Sequence, residues 1–177
     1  MNKNRVGLGT FPLADVFSHI TKDGAKALIK QFIDKGGYYI DTAPMYGFGE
    51  VENLLGEALS TYSRDKFYMV TKCGYIDVEG KTFQTIQKSG KYDDVIRECE
   101  RSLQRLKLDY IDLYFMHSPD PKTPIEETLR AMEKLQADGK IKEILKNDKP
   151  SVTYGIEADG NRQKGCGDHR RERPCAG

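Results

Sequence analysis

Four times before residue 145, a short apolar run gives way to a loop and then to a segment whose apolar residues recur at helical spacing. No other feature of this chain restricts its fold as strongly. Parallel strands need long crossover connections, and a helix between successive strands supplies that length. With right-handed crossovers the order generates a parallel sheet with helices outside, either open or closing into a barrel.

The first strand is expected at Arg5-Val6-Gly7-Leu8 and is ended by Gly9-Thr10-Phe11-Pro12, where glycine and proline call for a turn. From Thr21, Ala25, Leu28, Ile29, Phe32 and Ile33 mark one helix face, with Gly36 and Gly37 as the stop. A strand at Tyr38-Tyr39-Ile40 leads into a loop and a second helix carrying Val51, Leu54, Leu55, Ala58 and Leu59. A third strand begins at Phe67 and closes at Lys72. Residues 73–91 are polar and glycine-bearing, which predicts a surface loop. The third helix, over 92–107, presents Val95, Ile96, Cys99, Leu103 and Leu106 on one side. Residues 110–116 form the longest apolar run, as in a strand covered on both faces. A fourth helix should start with Thr123 as N-cap, Pro124 in the first position and Glu126 completing a capping box. Its buried stripe would be Ile125, Leu129, Met132 and Leu135, and Ile141-Lys142-Glu143-Ile144 would be a fifth strand.

In such sheets the active site lies at the carboxyl ends of the strands. Asp41, Lys72 and His117 end successive strands, and Tyr46 sits on the loop after the first of these ends. A tyrosine can protonate a carbonyl oxygen as it becomes an alkoxide, but its ordinary pKa of about 10 makes it a reluctant acid. Lowering that by about three units requires roughly 4 kcal/mol of preference for the phenolate. A nearby lysine ammonium is expected to supply much of this, with the imidazole orienting the carbonyl and Asp41 keeping the lysine charged. Taken singly, each residue has a plainer explanation: a turn aspartate, a packed tyrosine, a solvated lysine, a structural histidine. Their shared placement at strand ends favours one proton-transfer site.

These residues lie within a pattern that resembles the aldo-keto reductases. Gly7-Leu8-Gly9-Thr10, Asp41-Thr42-Ala43-Pro44-Met45-Tyr46-Gly47, Val70-Thr71-Lys72, and Leu108-Asp109-Tyr110-Ile111-Asp112-Leu113-Tyr114 leading to His117-Ser118-Pro119 carry the likeness, in order, over 5–144. The resemblance implies a (β/α)₈ TIM-type barrel, here truncated to roughly four β/α units plus a fifth strand. It implies NADPH-dependent reduction of a small aldehyde or ketone, with Asp41, Tyr46, Lys72 and His117 as the catalytic residues. Gly9, Thr10 and Phe11 would lie near the cofactor, Asp41 would also reach the nicotinamide ribose, and Phe48 and Tyr75 would line the substrate pocket. The family's adenosine-phosphate contacts come largely from the second half of its barrel.

A whole barrel of this type takes about 250 residues, and this chain has 177. The domain division expected is 1–144 as the first part of a barrel and 145–177 as an irregular tail. Where the family continues with a glycine and a Ser-Asn pair, this chain has Leu145-Lys146-Asn147-Asp148-Lys149-Pro150. An out-of-frame continuation is one origin for the tail, because a one-nucleotide shift through Gly167 to Pro174 permits a family-like strand; the gene's nucleotide sequence decides this. The competing expectation is an inactive half-barrel or interaction module that self-associates through its open edges.

Composition narrows the remaining classes. A net charge of +1 opposes a strong attraction to nucleic acid or membrane, and no apolar run suits a signal peptide or a membrane span. A cytoplasmic protein is expected, with Cys73 and Cys99 as buried thiols. Cys166, His169 and Cys175 offer only three ligands at irregular spacing, so no metal is expected. The basic residues near the carboxyl end are diluted by Asp159, Asp168 and Glu172 and lack interleaved aromatics, against a nucleic-acid tail.

Overall fold

Alternating strands and helices condense into one parallel sheet with a layer of helices. The computed structural model describes residues 6–14 and 20–145. Strands β1 (Gly7–Gly9), β2 (Tyr39–Asp41) and β3 (Tyr68–Cys73) alternate with helices α1 (Lys22–Asp34) and α2 (Glu50–Leu59). A two-stranded antiparallel hairpin, β4 (Tyr75–Ile76) and β5 (Gln87–Lys88), precedes α3 (Tyr92–Leu106). The series closes with β6 (Ile111–Met116), α4 (Ile125–Ala137) and β7 (Ile141–Ile144).

The large sheet runs β1-β2-β3-β6-β7 with every neighbouring pair parallel. Strand order therefore follows chain order with no reversal, and each helix packs on the next, α1 on α2, α2 on α3 and α3 on α4. A doubly wound sheet would reverse its order at a switch point and put helices on both faces. The observed winding is that of a barrel wall, and it resolves the choice between open sheet and barrel that the sequence left standing.

The core lies between sheet and helices, where Ile29, Ile40, Leu55, Met69, Cys99, Tyr114 and Leu135 are all buried. Helices α2 and α3 touch at Gly56, where a Cβ would stand 2.3 Å from the carbonyl oxygen of Arg105. On the opposite face Tyr39, Tyr68, Leu113 and Phe115 remain at least partly exposed. Both described cysteines are buried free thiols, as expected.

Some expectations are corrected. Residues 73–91 are not loop throughout, since they contain the β4–β5 hairpin; strands of two residues, one exposed and polar, leave almost no period to read. The capping box at α4 does not form: Pro124 is the N-cap and makes no side-chain cap bond, while the Thr123 hydroxyl donates to Asp120 at 2.7 Å. The charge-assisted bond to Asp120 fixes the Thr123 side chain in the preceding loop, one residue ahead of the N-cap. Ile125 and Leu28 are exposed rather than buried, each at the margin of its helix's apolar stripe. The tail, with Cys166, His169 and Cys175, lies outside the described residues.

Candidate active site

Parallel register assembles the site. Gly9 pairs with Asp41, Asp41 with Val70, and Lys72 with Phe115. Lys72 thus follows Val70 by two residues on the same face, and its four-carbon stem returns to the end of β2. Its ammonium donates to Asp41 Oδ1 at 2.7 Å, to the Thr42 carbonyl at 2.8 Å and to Tyr46 Oη at 3.2 Å. Those three partners use all three of its protons. The same nitrogen lies 4.9 Å from the Tyr46 ring centroid and 5.2 Å from that of Phe115, both within cation–π range.

His117 continues from β6, its N–H donating to the Cys73 carbonyl at 2.8 Å. The imidazole stands edge-on to Tyr46 at 5.8 Å and to Tyr75 at 5.3 Å. Its Nδ1 is buried and has no hydrogen-bond partner. Gly74, at φ 109, makes the turn between β3 and the hairpin; a side chain there would be strained and would press on the Ser118 carbonyl at 2.7 Å. Ser118, the residue after His117, therefore sits close against the Gly74 turn.

The electrostatics differ from the expectation for Tyr46. Burial, reinforced by the Asp41 carboxylate, pushes its phenol up to about 12 rather than down. The lysine charge is shared with Asp41 at the shorter distance, so it does not overcome the cost of burying a phenolate. Lys72 itself is depressed by burial, with Asp41 opposing the fall. Burial and the neighbouring Lys72 bring His117 down to about 4, so the ring is neutral at physiological pH.

The other expected residues divide. Gly9 is exposed beside Asp41, and a Cβ there would meet nothing within 4 Å. Thr10 is buried, and its hydroxyl and N–H both donate to the Asp41 carbonyl, at 2.9 and 3.0 Å. Phe11 packs on Tyr46 at 5.0 Å. Tyr75 joins the site through His117, whereas Phe48 packs on Phe83 and lines a separate cavity of about 500 Å³ with Leu13, Ile20, Val51 and Leu54. None of Asp41, Tyr46, Lys72 and His117 lines that cavity.

One group escaped the sequence reading. Glu52 of α2 is fully buried on the helix side of β3, where it accepts from Thr71 at 2.7 Å, Ser102 at 3.2 Å and Arg105 at 2.7 Å. Its position one helical turn before Leu55 was the available signal: a carboxylate on the apolar face needs buried partners.

The model of the Aldo/keto reductase family matches residues 5–145. The chain belongs to this family. An aldo-keto reductase of Bacillus subtilis (strain 168), YhdN, is 38% identical over 143 residues, which make up 80% of this chain and 42% of that protein. The structure of a glycerol dehydrogenase from Gluconobacter oxydans aligns with a TM-score of 0.68 and 35% identity, covering 80% of this chain and 43% of the other. An aldo/keto reductase from Klebsiella pneumoniae, solved in complex with NADP and acetate, aligns at 0.62 with 33% identity over 78% and 43% of the two chains. The chain thus spans less than half the length of these relatives. The expected membership and barrel-type fold agree with the matches. Among the described residues no helix is long and apolar enough to cross a membrane, and no cluster of three or more metal-binding side chains occurs.

Proposed function

We propose that the described residues form the proton-transfer part of an NADPH-dependent reductase of aldehydes or ketones, with Tyr46 as general acid. The observation that carries this reading is the Lys72 ammonium, which holds Asp41 and Tyr46 in one hydrogen-bonded group beside the His117 ring. Family membership and the relative solved with NADP support the cofactor class.

The residues present fit a nicotinamide and a carbonyl. Gly9 leaves open space beside Asp41, whose side chain is 45% exposed and able to accept from a ribose hydroxyl. The Nδ1 of His117 is a polar atom still lacking a partner. When bound, NADPH supplies the hydride that reaches the carbonyl carbon. The Tyr46 hydroxyl gives its proton to the carbonyl oxygen as negative charge develops there. With a pKa near 12 the phenol is a weak acid toward a ketone, yet a far stronger one than the alcohol being formed. Lys72, by donating to Tyr46 Oη, stabilises the phenolate left behind. Neutral His117 contributes a hydrogen bond and a wall rather than a charge. Thr10 acts through Asp41, by fixing its carbonyl.

One observation favours a second reading, an inactive half-barrel that self-associates. Among the described residues β1 and β7 each have a single sheet neighbour, and Tyr39 is exposed on the face away from the helices. The two readings separate in one experiment, a fluorescence titration of the purified chain with NADPH beside size-exclusion chromatography and a carbonyl-dependent NADPH oxidation assay. The reductase reading expects saturable binding by a defined species. It further expects Tyr46→Phe to lower kcat by about 10² to 10⁴-fold with NADPH affinity retained. Turnover undiminished in Tyr46→Phe would refute Tyr46 as the acid, and self-association without binding would support the half-barrel.

A further inference from the structure

Just beyond β4, three consecutive residues turn back onto α3. The Asp77 carboxylate pairs with Arg101 at 2.5 Å and lies 3.9 Å from Arg97, while its N–H donates to Glu98 at 3.3 Å. Glu79 pairs with Arg105, the same arginine whose Nε holds Glu52. Val78 between them is completely buried. Asp77 stands at φ 49, a left-handed conformation that a non-glycine residue keeps only where its surroundings impose it.

What this fastening controls lies two residues upstream. Tyr75 is set edge-on to His117, with an interplanar angle of 88°. In the hairpin Tyr75 pairs with Lys88, whose ammonium lies 5.5 Å from the tyrosine ring. A two-stranded hairpin has little stability of its own, so the position of Tyr75 depends on where the hairpin is anchored.

We propose that Asp77, Val78 and Glu79 are a positioning clamp, which by fastening the β4–β5 hairpin to α3 holds Tyr75 against His117 and so fixes the imidazole at the mouth of the site. Its consequence for catalysis rests on the reductase reading; the geometry itself does not. Asp77 and Glu79 have side chains 51% and 53% exposed, and exposed ion pairs contribute little to stability. Neutralising them therefore leaves the chain folded, and because the hairpin has so little stability of its own even that small loss loosens it. Asparagine also tolerates the left-handed conformation of residue 77.

His117 is the reporter. The groups facing it are the rings of Tyr46 and Tyr75, the ammonium groups of Lys72 and Lys88, and the Asp41 carboxylate. Burial is the largest influence holding it near 4. Withdrawing Tyr75 admits water to one face of the ring, and its titration should move back toward 6.5.

The experiment is an NMR titration of ring-labelled histidines in the full chain and in Asp77→Asn/Glu79→Gln, with His117→Gln to assign the signal. The clamp predicts an upward move of the His117 midpoint by about one pH unit or more, loss of the Tyr75–His117 ring contact in NOE spectra, and a thermal midpoint within a few degrees of the parent. Arg101→Gln, which attacks the same anchor from the helix side, should shift the midpoint in the same direction. In the carbonyl assay the double variant should raise KM more than it lowers kcat. Unchanged His117 titration and ring contact in both variants would overturn the clamp. Absence of turnover in the parent chain would count against the reductase reading alone, since the NMR measurement needs no activity.

Discussion

Replacing Glu52 separates the value of a buried charge from the value of its hydrogen bonds. The carboxylate is fully buried and has three donors, Thr71, Ser102 and Arg105, drawn from β3 and α3. Glu52→Gln keeps the shape and one acceptor oxygen, which can still face Arg105 while the amide nitrogen donates to Thr71. The loss is then mainly the charge assistance of one bond, about 1–2 kcal/mol. Glu52→Leu leaves a guanidinium that is only 7% exposed without its buried partner and strands two hydroxyls, which should cost about 3–5 kcal/mol. Glu79, at the solvent edge, retains its pair with Arg105 and keeps this cost from rising further. Adding Arg105→Leu to Glu52→Leu removes the unpaired charge, so the double variant should be less destabilised than the sum of its two single variants by about 1–3 kcal/mol. Urea unfolding of the parent and the four variants, Glu52→Gln, Glu52→Leu, Arg105→Leu and Glu52→Leu/Arg105→Leu, read as midpoints at constant slope, measures each quantity. The reasoning fails if Glu52→Leu is no worse than Glu52→Gln, or if the double variant equals the sum.

Two further outcomes are expected. His117, depressed from 6.5 to about 4 by burial, binds its proton more readily in the unfolded chain between those values. Its contribution is therefore present above about pH 6.5 and is lost as pH falls toward 4; at about 1.4 kcal/mol per pH unit this reaches about 3 kcal/mol. Denaturation at pH 7 and pH 4.5 should show a stability loss that His117→Gln lacks, and equal losses in both proteins would refute the assignment. Gly56→Ala places a methyl 2.3 Å from the Arg105 carbonyl oxygen and 2.9 Å from that of Leu106. Backbone atoms cannot swing aside, so α2 and α3 must part, at a cost of about 1–3 kcal/mol visible as a lower urea midpoint.

Much of the fold was legible because each element repeats a local pattern. Strand β7 occupies the four residues read as a strand, and α1 begins after Thr21, whose hydroxyl accepts from the Gly24 N–H at 3.1 Å. Local reading failed where the helix start shifted by one residue. Pro124, not Thr123, is the N-cap of α4, and only the folded loop shows the Thr123 hydroxyl bound to Asp120 ahead of the helix. The hairpin was invisible for a different reason, since Tyr75-Ile76 and Gln87-Lys88 pair across ten intervening residues with no alternation to announce them.

The residue types of the site follow from sequence alone: an aspartate, a lysine and a histidine at strand ends with a tyrosine on a connecting loop. Periodicity locates strand ends, and parallel sheets gather those ends together. Tertiary structure decided how the four act on one another. Register places Lys72 two residues beyond the partner of Asp41, and this brings its ammonium to Asp41, Thr42 and Tyr46 at once. Burial set the direction of the Tyr46 pKa, raising a phenol that proximity to lysine alone would have lowered. Distance from water is a property of the whole assembly, and no spacing along the chain records it.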